Sequence, residues 1–170
     1  MKNTTKFFAL TIALLAITIS SFAQVSATAT TTATIITPIA ISKTVDMNFG
    51  NIAVSPTIAG TVVLTPAGTR TKTGGVTLPA VAGTVTAASF NVTGLGTSTY
   101  AITLPSTITL NGTPTGTMTV NSFVSTPSGT GALTAGAQTV LVGGTLNVGA
   151  AQAAGVYTNT TDMTVTVNYN

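Results

Sequence analysis

Apolar residues alternate with hydroxyl and amide side chains along most of this chain, most cleanly in its last stretch. From Met163 to Asn170 the odd positions are Met163, Val165, Val167 and Tyr169, and the even ones are Thr164, Thr166, Asn168 and Asn170. A period of two sends one set to each face of a β-strand. The same parity runs through Ile39, Ile41, Val45, Met47 and Phe49, with Ser42, Thr44, Asp46 and Asn48 opposite, and again through Tyr100, Ile102 and Leu104. Turn formers break the pattern at Gly50-Asn51, Pro66, Gly68, Gly74-Gly75, Pro79, Gly94-Leu95-Gly96, Pro105 and Pro127-Ser128-Gly129. About eight to ten short strands at this spacing predict an all-β fold, an immunoglobulin-like antiparallel β-sandwich. The closing strand, being the cleanest, is expected inside a sheet.

The chain is long enough for one domain, with 170 residues of which 44% are hydrophobic. Only 4% are charged, against about a quarter in ordinary soluble domains. Thr fills the gap at roughly a quarter of the chain, and its branched, hydroxylated side chain suits a strand face that meets water. There is no Cys, so the packed core must carry stability without disulfides.

Three regions follow. Residues 1–23 read as a signal peptide: Lys2 and Lys6, an apolar run from Phe7 to Ile19, and Ser21-Phe22-Ala23 before a cut at Gln24. An apolar run of about 13 residues is short of the ~20 needed to span a bilayer, so no transmembrane anchor is expected after cleavage. Residues 24–38 form a Thr/Ala-rich N-terminal arm, read either as a flexible tether or as a first strand ending at Pro38. Residues 39–170 hold the sandwich. Within it, Asn111-Gly112 predicts a hairpin turn, Gly143-Gly144 a break between two strands or a bulge in one, and Ala150–Ala154 a connection with room for one helical turn. Lys43, Arg70 and Lys72 are expected singly on the surface; they face only Asp46 and Asp162, leaving one net positive charge.

The chemistry that is missing narrows the function. Without His or Glu, and with two Asp far apart in sequence, there is no triad, no paired-carboxylate cleft and no general base near neutral pH. No His/Cys metal set, phosphate-binding loop or basic patch with interleaved aromatics is present. The expectation is a non-enzymatic protein with no catalytic, cofactor-binding or metal residues and no nucleic-acid partner.

The segments ATIITPIAISKTVDMNFGNIAV, GTVVLTPAGTRTKTGGVTLP, YAITLP and GVYTNTTDMTVTVNYN resemble the secreted bacterial family called domain of unknown function 4402. The end of the chain is also similar to the ends of chaperone–usher pilus subunits, at Gly155, Met163, Val165, Val167 and Tyr169. That second resemblance implies a closing-strand assembly face at those five positions. It also implies a donor-strand face at Val25, Ala27, Ala29, Ala33 and Ile35, lent to a neighbouring copy, and a periplasmic chaperone as a further partner. The function expected is a secreted or cell-surface structural or adhesive subunit, fimbria-like and assembled by strand addition. The alternative is a monomeric extracellular module that binds a glycan or a protein, although Trp is absent and only three Tyr are available. An ice-binding face of Thr-x-Thr rows is a third reading, which lacks a regular sequence repeat.

Overall fold

The structure is a computed structural model describing residues 24–170; the expected signal peptide, 1–23, lies outside the described residues. The chain divides into Met1–Ile35 and a compact unit, Ile36–Asn170. Of the first, Gln24–Ile35 contain no strand and are exposed throughout. Within this chain the arm joins no sheet. Alternation alone gives a strand two faces but no partner, and a lone extended segment has its backbone groups bonded to water.

The compact unit holds thirteen strands, more than expected because several are only two or three residues long. Its large sheet is ordered β1 (Ala40–Val45), β6 (Ala88–Thr93), β11 (Ala137–Val148), β9 (Thr117–Thr126), β8 (Thr107–Thr113) and β12 (Val156–Thr158). β3 (Gly60–Leu64) pairs with the second half of β11, and β4 (Arg70–Gly74) with β3. A second layer is made by β10 (Thr130–Ala132), β7 (Thr99–Thr103) and β13 (Thr166–Tyr169), and by the short pair β2 (Ala53–Val54) and β5 (Val76–Thr77). All pairings are antiparallel, and the two layers make a curled, sandwich-like β fold.

β11 organises the sheet. It pairs with β6 through Ala137–Val142 and with β3 through Gly144–Val148, both along one edge. Its register against β9 shifts between Gly143 and Thr145, so it is one strand with a bulge. Gly143 is required there. A Cβ would press on the Leu64 carbonyl oxygen and lie 2.7 Å from the Thr65 carbonyl carbon and 2.9 Å from Pro66 N.

The bulge divides the core in two. One cluster packs Phe90, Val92, Val140 and Val142 against Tyr100, Ile102, Val165 and Val167 of the smaller layer. The other gathers Phe49, Val62, Leu64, Val76, Ile108, Val120, Leu146 and Val148. Each fully buried aliphatic side chain contributes ~1.5–3 kcal/mol, and Met47, Phe123 and Met163 touch both clusters.

Four further expectations change. Asn111-Gly112 lies inside β8; the hairpin turns at Pro114-Thr115, where Gly112 N donates to Gly116 O at 2.8 Å. Ala150–Ala154 contains a turn and no helix. The closing strand shrinks to Thr166–Tyr169, and it sits at the end of its sheet, paired to β7 alone. Arg70 is not a lone surface charge: its guanidinium donates to the Phe49 carbonyl, to Asn51 O at 2.9 Å and to Ala82 O at 3.4 Å.

Candidate assembly groove

A groove of about 1000 Å³ opens on the inner face of the large sheet, where the second layer is interrupted. Its floor includes Phe90, Ile108, Leu110, Met118, Val120 and Leu146. One wall is the segment from Lys43 to Val54, which ends in β2; the other is the segment from Gln152 to Met163, which leads toward β13. β2 pairs only with β5, and β13 only with β7. Of these two strands only β2 contributes residues to the groove; β13 does not line it.

Both walls are held in place by hydrogen bonds, most of them from side chains to backbone. On the first, Arg70 binds three carbonyls, Asn51 N donates to Ala82 O at 2.7 Å, and Thr86 Oγ1 donates to Asp46 O at 2.8 Å. On the second, Tyr157 Oη donates to Ala153 O at 2.7 Å and accepts from Gln152 Nε2 at 2.9 Å. Gly112 makes room for its ring, since a Cβ there would lie 2.5 Å from Tyr157 Cε1. Asn159 closes the loop. Its Nδ2 donates to Thr109 O and to Asp162 Oδ2, both at 2.7 Å, and its Oδ1 accepts from Asp162 N at 2.8 Å. Hydrogen bonds from Asn159 and Thr161 hold the Asp162 carboxyl below its ordinary pKa.

The groove carries little charge. Lys43 Nζ and Asp46 Oδ1 pair at 2.5 Å on its rim with both side chains mostly in water, a contribution of about 0–1 kcal/mol. No group of His, Cys, Asp and Glu among the described residues could hold a metal ion.

The expected closing-strand face divides between two places. Gly155 and Met163 line the groove. Val165 and Val167 are each 8% exposed and sit in the first core cluster, so their own chain covers them. Tyr169 is half-buried, and its hydroxyl bridges the domain: it accepts from Leu95 N at 2.6 Å and donates to Thr37 O at 2.9 Å. The expected donor face is solvent exposed at every position, with Val25 at 92% and Ile35 at 99%. Sequence reasoning missed the wall residues Arg70, Tyr157 and Asn159. Only the glycines at 112 and 116 hinted at a ring packed over a hairpin.

The fold and this groove define an all-β, sandwich-like module with an interrupted second layer. The domain of unknown function family DUF4402 matches residues 39–169, and the chain belongs to it. No curated protein and no solved structure matches the chain.

Proposed function

We propose that the chain is a non-enzymatic, exported structural subunit that assembles with copies of itself by strand addition. The carrying observation is a complementary pair: an exposed arm with strand alternation and no strand partner, and an apolar groove walled on one side by β2, which pairs with β5 alone. A strand laid along that edge gains backbone hydrogen bonds from it and sends alternate side chains to the floor. Val25–Ile35 reaches ~36 Å when extended, and it carries no charge to desolvate. Its face is mostly Ala, so backbone pairing rather than side-chain burial supplies most of the affinity.

The test compares the chain with and without Gln24–Thr37 by light scattering. Oligomers that survive mild detergent and vanish on deletion support the proposal. A strict monomer in both preparations overturns it.

A further inference from the structure

The outer face of the large sheet carries an ordered array that the sequence does not display. The strand registers align Thr73, Thr61, Asn147, Thr119 and Thr109 in one row across β4, β3, β11, β9 and β8. The next row is Thr71, Val63, Thr145, Asn121 and Thr107. These positions alternate with the buried Val62, Leu64, Leu146, Val120 and Ile108, so they face away from the core. Nine of the ten present a hydroxyl or a primary amide, and none is ionisable. Each row spans ~19 Å, four strand spacings.

One end of the first row is concave. A shallow depression of about 490 Å³ is lined by Thr61, Thr73 and Asn147, with Gly60, Gly74 and Gly149 leaving its backbone uncovered. Thr61 Oγ1 and Thr73 Oγ1 lie 2.7 Å apart and share one hydrogen, which leaves the pair a further donor and lone pairs for a ligand. Asn147 Nδ2 donates to Thr119 O at 3.3 Å, so one amide hydrogen and Oδ1 remain.

We infer that this depression, continued along the Thr119 and Thr109 row, binds a neutral, hydroxyl-rich glycan. Uncharged donors and acceptors in alternation match sugar hydroxyls, and with no cation among the ten positions an acidic glycan gains nothing over a neutral one. Sheet twist of roughly 20–25° per strand favours a polymer that can follow the row over a planar crystal such as ice. No aromatic platform adds stacking, so a single site binds weakly. Copies joined by strand addition would multiply it through effective concentration. That multivalent part rests on the assembly reading, whereas the site itself does not.

The experiment presents neutral and acidic glycans on one surface to the full chain and to the chain lacking Gln24–Thr37, with oligomeric state measured on the same samples. The expected result is retention of neutral glycans, reduced at least tenfold in Thr61→Val/Thr73→Val, which keeps the strand-favouring shape. Asn147→Asp, nearly isosteric, should weaken it as well, and Thr61→Ser should preserve it. Weak binding by a monomer would uphold the site while removing the assembly reading. Oligomers that retain no neutral glycan would overturn the site and leave assembly standing. A preference for acidic glycans, retention indifferent to both Thr61→Val/Thr73→Val and Asn147→Asp, or ice-growth inhibition without glycan retention would each overturn it.

Discussion

Arg70 is the residue whose loss should reach furthest from its own position. Replacing it with Met keeps most of the aliphatic stem and removes the guanidinium, which binds the carbonyls of Phe49, Asn51 and Ala82. A hydrogen bond from a charged donor is worth about 1.5–3 kcal/mol net. The bond to Ala82 O, at 3.4 Å, is at the limit of a useful distance. Arg70 is half-buried, so water recovers part of the rest. Two good bonds at about 1–1.5 kcal/mol each after that discount give a loss of about 2–3 kcal/mol. For a unit of this size that lowers Tm by roughly 6–10 °C. The same bonds fix the groove wall, so Asn51 N–H, bonded to Ala82 O, should exchange faster with solvent. Calorimetry and amide exchange on Arg70→Met check both. An unchanged Tm with unchanged exchange at Asn51 would refute the claim that Arg70 pins the wall.

Other residues give sharper local outcomes. Tyr169→Phe deletes the bonds to Leu95 N and Thr37 O, and should cost about 1–2 kcal/mol while speeding proteolysis near Thr37. Gly143→Ala forces a Cβ against the β3 backbone and should cost about 1–3 kcal/mol; an unchanged urea midpoint contradicts the tight approach of β3 to β11. Asp162 should titrate below the ordinary aspartate value of about 3.9 when followed by NMR. A depressed folded pKa means its stabilisation is present above the unfolded value and is lost as pH falls through the folded one. Asn159→Ala should bring that titration back up.

Period-two alternation was enough to read the all-β class and part of the core, because burial on one face leaves a mark at every second residue. Val165 and Val167, Tyr100 and Ile102, and Phe49 are buried as their parity predicts, whereas Val45, on the same face as Phe49, is 40% exposed. Alternation does not name partners. It placed the closing strand inside a sheet, whereas pairing with β7 alone leaves it at an edge. The arm from Gln24 alternates as well as any strand and pairs with nothing among the described residues. At Asn111-Gly112, Tyr157 and Gln152 packed against the hairpin extend the ladder past the expected turn. The groove walls depend on contacts such as Arg70 to Phe49 and Asn159 to Thr109, across 21 and 50 positions of sequence. Those separations are invisible in a single chain.

Because the chain has no Cys, placed cysteines can test strand addition directly. One preparation carries a single cysteine at Ala27, Ala29 or Ala33, or at the opposite-facing Thr28 or Thr30; the other carries Val54→Cys on the groove wall. Side chains directly opposite across paired strands approach within ~4.5–5.5 Å at Cβ, close enough for a disulfide. Mixed and oxidised, the two preparations should form a disulfide-linked heterodimer from arm positions of one parity and little from the other. Equal yields at every arm position, or no heterodimer at any, would contradict assembly through the groove.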